Sequence, residues 1–200
     1  MWRTMHLDFT VQEQLVATTL QVQPSIRQRD AEDIKRVEEA SDVEAVLDLA
    51  QMATGLASYA WLKRMRGFGP SGADAIAGRL TGGWLRNFPG TQAGIQERCI
   101  GALRWCDNEA ADALMRCWEA FDDYGRSLAC VLVGLLGVHP AVDRVWNYYQ
   151  TIHMQPNLYF VGPLWALIDL QDPRSADGLA ELMAARRGFY ERYGIPLAGG

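Results

Sequence analysis

Histidine is scarce in this chain, with three residues among 200, and none of the four cysteines stands in a C-x-x-C pair. With only His6, His139 and His153 to join Cys99, Cys106, Cys117 and Cys130, a Cys/His metal site lacks ligand spacing, so neither a metal nor another cofactor is expected. The cysteines fall in stretches of helical periodicity, where free thiols pack as small apolar side chains. No run reaches the roughly 18 apolar residues that a spanning helix needs, and Met1 to Asp8 shows no cationic head followed by an apolar stretch. The expectation is therefore a cytoplasmic protein with no membrane segment, a location into which disulfides fit poorly. Charge of one sign is not in large excess: 24 acidic against 19 basic side chains give a net charge of -5. That balance argues against phosphate-backbone affinity as the main source of binding and leaves a local basic patch open. What the chain does have is apolar residues, 49% of the total, enough to bury a sizeable core without a disulfide or metal.

Those apolar residues recur at a fixed period. Leu164 to Leu179 holds an apolar stretch, an Asp172-Pro173 turn and a new amphipathic stretch. Val131 to Trp146 repeats that plan around His139-Pro140, 33 positions upstream, and Cys99 to Leu114 repeats it around Asp107-Asn108, 32 positions further back. The same columns return: Ile100, Leu132 and Trp165; Leu103, Leu135 and Ile168; Leu114, Trp146 and Leu179. A fourth copy spans Trp61 to Ala77, where Pro70, Ala73, Asp74 and Ile76 match Pro173, Ala176, Asp177 and Leu179. Repetition of this kind predicts stacked units that bury a continuous core together.

Each turn has a physical mechanism. Asp107 or Asp172 accepts hydrogen bonds from the free amides of the next helix, and His139 stands as a capping substitute. Pro140 and Pro173 sit where a missing N–H costs nothing. Before the repeats, Thr10-x-x-Glu13 and Ser41-x-x-Glu44 fit the capping box, so helices are expected to start near residues 11 and 42, with another over about 30–40 that carries Ile34 and Val37 on one side. The predicted architecture is all-α: one α-solenoid domain of helix-turn-helix repeats over 57–187, a helical amino-terminal cap over 1–56 and a tail over 188–200. Leu103, Leu114, Leu135, Trp146, Ile168 and Leu179 are expected in its core. An insertion, Thr81 to Gly94, carries Trp84, Leu85 and Phe88 among turn formers; folding back onto the core is favoured over forming a binding surface.

At Asp172-Pro173-Arg174-Ser175-Ala176-Asp177-Gly178-Leu179-Ala180-Glu181-Leu182 the chain resembles the D-P-R-A-x-x-x-L-x-x-L signature of HEAT repeats, in particular the phycobilisome-lyase-like subclass. The resemblance covers about 57–187. It implies a solenoid and leaves the activity open, since that class holds partner-binding scaffolds, bilin lyases and assembly chaperones, DNA glycosylases and an iron hydroxylase. The hydroxylases bind metal through His-Glu dipeptides, and this chain has none. A glycosylase would need stacking aromatics and a basic groove. The tryptophans are Trp2, Trp61, Trp84, Trp105, Trp118, Trp146 and Trp165, most of them in repeat columns or apolar stripes, where core packing is the expectation.

Nothing marks a catalytic nucleophile. Gly67-Phe68-Gly69-Pro70-Ser71-Gly72 matches G-x-G-x-x-G, but Trp61 to Arg66 reads as the end of a helix where a dinucleotide site needs a strand. The aromatic run from Trp146 to Phe160 either seals an inter-repeat loop or binds something. In the solenoid that the resemblance implies, second helices line the concave face. Columns there without an apolar pattern place Asp112, Arg116, Arg144, Asn147, Tyr148, Asp177 and Glu181 on one exposed surface, with Tyr148 at its centre. Mixed charge around a tyrosine suits a protein or peptide partner better than a nucleic acid. The function expected is a non-enzymatic interaction scaffold. The alternatives are a bilin lyase or tetrapyrrole-handling chaperone and, behind it, a DNA glycosylase.

Overall fold

The computed structural model describes residues 24–106, 109–155 and 158–192. The described chain is all-helical, with no strand. Ten α-helices follow one another: α1 (Pro24–Glu39), α2 (Val43–Asp48), α3 (Gly55–Gly67), α4 (Pro70–Thr81), α5 (Gln92–Leu103), α6 (Glu109–Cys117), α7 (Asp123–Leu135), α8 (Val142–Ile152), α9 (Val161–Asp169) and α10 (Arg174–Arg192). Short 3-10 segments lie at Trp84–Asn87, Trp118–Ala120 and His139–Ala141. The chain divides into two compact units, Met1–Gly125 and Arg126–Gly200.

In the first unit the helices pack mainly on those two places away in sequence. α1 lies on α3 and α3 on α5, while α2 lies on α4 and α4 on α6. Sequence order joins the two rows, because each short turn sends the chain across. Trp61, wholly buried on α3, donates from its indole Nε1 to the Val46 carbonyl at 2.7 Å and closes the α2 to α3 turn. Arg79 on α4 meets Glu44 at 2.6 Å and Asp48 at 2.8 Å on α2, and its guanidinium lies 5.8 Å from the Trp84 ring. Trp84 and Leu85 are buried, so the insertion folds back as expected. Gln96 is wholly buried and accepts the Asp122 amide at 3.1 Å through Oε1.

The second unit is held by two close approaches. A Cβ on Gly162 of α9 would stand 2.1 Å from the Ser127 carbonyl oxygen of α7, and one on Gly134 of α7 would stand 2.9 Å from Cα of Ala166. Small residues on both helices let the backbones touch. α8 meets α10 through Tyr149, whose hydroxyl donates to the Gly178 carbonyl at 3.3 Å, and α9 packs on both α8 and α10.

The turns at Pro70, His139 and Asp172 stand where the sequence placed them, with their details changed. Asp172 accepts the Arg174 amide at 2.9 Å and two guanidinium hydrogen bonds at 2.8 Å; Arg174 also reaches Asp143 of α8 at 2.9 Å and lies 5.4 Å from the Trp146 ring. These hydrogen bonds from Arg174 hold the Asp172 carboxyl below the ordinary carboxylate range. α7 and α9 stop in the same way. The Val138 amide bonds to the Val133 carbonyl and the Asp172 amide to the Leu167 carbonyl, with Gly137 and Gln171 at left-handed φ of 64° and 56°. His139 caps nothing: its 3-10 segment and α8 both begin without a side-chain cap. Asp42, one position past the expected serine, caps α2 by accepting the Ala45 amide at 2.9 Å, and Ser41 instead donates to Asp42. The Thr10 box, Asp107-Asn108 and the last part of the tail, 193–200, lie outside the described residues.

Of the six expected core residues, Leu103 and Leu114 are wholly buried, Leu135 and Trp146 are half-buried, and Ile168 and Leu179 are exposed. Trp165, from the first column, is also exposed. Periodicity finds an apolar position; burial needs a neighbour over it, and Ile168, Leu179 and Trp165 stand where no described residue of their unit covers them. The four cysteines are free and buried as expected, and burial pushes the Cys99 and Cys117 thiols up to about 12.

Gly162→Ala should destabilise the protein by about 1–3 kcal/mol in denaturant melts, because the added methyl forces α7 and α9 apart. An unchanged midpoint would contradict the close approach. Asp172, with its lowered pKa, contributes stability that is complete above the ordinary carboxylate pKa of about 4 and is lost as pH falls through the lowered value. The difference in Tm between the parent and Asp172→Asn should therefore be constant from neutral pH down to that region and shrink below it. A difference that persists unchanged through strong acid would show that Asp172 does not act as a carboxylate.

Candidate functional site

The residues expected to form one exposed surface fall into both units. In the first, Asp112 and Arg116 share one face of α6, being four apart, and both are exposed. Arg116 is already engaged, since it donates to Asp74 of α4, and that hydrogen bond raises its pKa. In the second, Arg144 and Asn147 are exposed on α8, and Asp177 and Glu181 are exposed on α10. Glu181 stands 3.8 Å from His153 Nε2 and is hydrogen-bonded to the Tyr149 hydroxyl. Burial first and Glu181 second hold the Tyr149 phenol above its usual value.

Tyr148 does not join this surface. Only 7% of it is exposed, and the Arg126 guanidinium lies 6.0 Å from its ring. The reason is helical spacing: Val145 and Ile152, three before and four after it, are both buried, so Tyr148 continues an inward stripe. The column was misjudged because Arg116 and Glu181 stand at the matching positions of other copies. The rest of the aromatic run mostly seals its own loop. Trp146 stacks on Tyr149 with centroids 5.5 Å apart, Tyr149 stacks on His153 at 5.2 Å, and Phe160 is buried. Met154 and Leu158 project outward. Pro156 and Asn157 lie outside the described residues.

A second exposed feature escaped the sequence reading. Trp165 is 55% exposed and Ile168 39% exposed on α9, three positions apart and so on one face; Leu179 and Met183, four apart on α10, are exposed as well. The signal was present in Val161 to Asp169, where Asp169 alone is charged or strongly polar. A helix apolar on every side leaves a face uncovered unless neighbours surround it.

No group of three or more His, Cys, Asp or Glu is placed to hold a metal among the described residues, and no helix of theirs is long and apolar enough to cross a membrane. Cys130 is also pushed up by burial, so the Cys99, Cys117 and Cys130 thiols stay protonated at neutral pH and are poor nucleophiles. The G-x-G-x-x-G run follows helix α3 and opens α4 at Pro70, with Gly69 as its cap residue, so the strand that a dinucleotide site requires is absent there. The chain matches no family model, no curated protein and no solved structure.

Tyr148→Ala should now cost about 3–5 kcal/mol, the range for emptying a buried aromatic site. A loss below about 0.5 kcal/mol, usual for exposed positions, would return Tyr148 to the surface.

Proposed function

We propose that the chain is a HEAT-like α-solenoid scaffold without catalytic activity, and that it binds a protein or peptide partner through the apolar face of α9. The exposure of Trp165 beside Ile168 carries this reading. Exposing a tryptophan and an isoleucine together is costly in water, and tryptophan buried at an interface is the commonest kind of binding hot spot. Arg144, Asn147, Asp177 and Glu181 give the same unit exposed polar surface of both charge signs, in keeping with a partner that brings an apolar anchor and a polar rim.

The HEAT-like part rests on two supports. Packing between helices two apart, within each unit, is what stacked helix pairs produce. Asp172 and Arg174 of the Asp-Pro-Arg signature join the turn to both flanking helices' surroundings, Asp172 by accepting the Arg174 amide and Arg174 by reaching Asp143.

The test begins with affinity purification from the source organism, followed by titration of the recovered partner. Trp165→Ala should melt like the parent and weaken that partner at least tenfold, equivalent to about 1.4 kcal/mol. Parent-like binding by Trp165→Ala would end the reading. Visible absorbance in protein purified from its own source would favour tetrapyrrole handling in its place.

A further inference from the structure

Arg98 is an arginine in a core position. It lies on α5 among Ile95, Cys99 and Ala102, all wholly buried, and only 9% of its own surface is exposed. Its Nε is buried without a hydrogen-bond partner. Among the described residues the guanidinium has no hydrogen-bonded acceptor; burial holds its pKa down, and Glu97 opposes that only through space. Glu97, next to it in sequence, is engaged by the Tyr124 hydroxyl. A buried charge left unpaired is strongly unfavourable, and proteins normally pair it or neutralise it.

The direction of the side chain shows what could pair it. Helical side chains lean toward the amino terminus, so a residue lies over the one four before it. The residue four before Arg98 is Gly94, and a Cβ there would stand 3.4 Å from one terminal nitrogen of Arg98 and 3.6 Å from the other. Gly94 is the third residue of α5, which runs for 12 residues. The guanidinium edge thus lies along the first turn, where the amides of Gln92, Ala93 and Gly94 have no acceptor within the helix. The usual remedies are missing here. Thr91, the cap residue, makes no side-chain cap bond and turns its hydroxyl to the Phe88 carbonyl; the Gln92 side chain donates to the Leu85 carbonyl at 3.0 Å. Thr91 and Ala93 are exposed, so the turn is open to solvent.

We propose that the first turn of α5 and the Arg98 guanidinium form a binding site for a phosphate-type oxyanion. Free amides and the positive end of the helix dipole favour an anion there, and the fixed fork of an arginine matches two oxygens of a phosphate. Gly94 keeps the space between these donors clear. The site is separate from the α9 face and does not depend on the scaffold reading.

The test uses the whole chain in thermal melts at matched ionic strength, with inorganic phosphate replacing chloride. The parent should gain several degrees in Tm, saturating with phosphate. Arg98→Met should melt higher than the parent in chloride, having lost the unpaired charge, and should not respond to phosphate. Gly94→Ala suits the helical backbone and places a methyl against the guanidinium, so it should fold and lose at least tenfold in phosphate affinity even if Arg98→Met does not fold. Phosphoserine provides a further arm: a matching Tm gain means that the site accepts a phosphomonoester, and a gain with inorganic phosphate alone means that it takes the free ion. No saturable gain in the parent, or an equal gain in Gly94→Ala, would overturn the proposal.

Discussion

A helix of 9 to 13 residues is marginal by itself in water, and from α3 to α9 no helix is longer than 13 residues. Each persists because other helices cover its apolar stripe; in the first unit the covering helix is largely the one two places along the chain, and in the second α9 packs on its neighbours α8 and α10 while also approaching α7. The remaining features follow from that need. Turns must be short and must stop one helix cleanly, which the left-handed residues Gly137 and Gln171 do in matching bonding patterns. Helices must also come close, which Gly134 and Gly162 permit. Ion pairs such as Arg79 with Glu44 and Asp48 then join neighbours already in contact; being largely exposed, they add selectivity of pairing more than stability.

The same need explains what the sequence disclosed. Helical periodicity and turn chemistry are local, so the all-helical class, the turns at Pro70, His139 and Asp172, and the buried Leu103 and Leu114 could be read directly. The inward turn of Trp84 and Leu85 was legible too, because two large apolar side chains among turn formers have more to gain from a core than from water. Whether a particular stripe is covered depends on how many neighbours a helix has, and that is not local. Trp165, Ile168 and Leu179 match the columns of Ile100, Leu103 and Leu114 in pattern, yet no described residue of their unit covers them. Tyr148 failed in the opposite direction. Comparing copies gave it a polar column, while its own spacing to Val145 and Ile152 marked it as buried. Within a divergent repeat, the spacing along one helix was the better guide.

Arg98 shows why the candidate sites were harder to read than the fold. In the run Ile95-Gln96-Glu97-Arg98-Cys99-Ile100 an arginine looks like one more solvent-facing charge, and its burial is visible only when the faces of α5 are assigned. Its lack of a partner is a property of three-dimensional surroundings, which no spacing rule reports. Gln96 is a parallel case: buried in the same helix, it has one amide oxygen satisfied by Asp122 and its Nε2 without a partner. α5 thus carries two buried side chains that each keep a nitrogen without a partner.

The central claim is that helices two places apart meet directly in each unit and, in the first, supply most of the mutual cover. Nuclear Overhauser contacts test it directly. Cross-peaks are predicted from the Gly101 Hα to a Leu62 methyl, joining α5 to α3, and from the Gly178 Hα to the Tyr149 ring, joining α10 to α8. A spectrum of the folded protein that shows contacts between consecutive helices and lacks both of these would contradict the account.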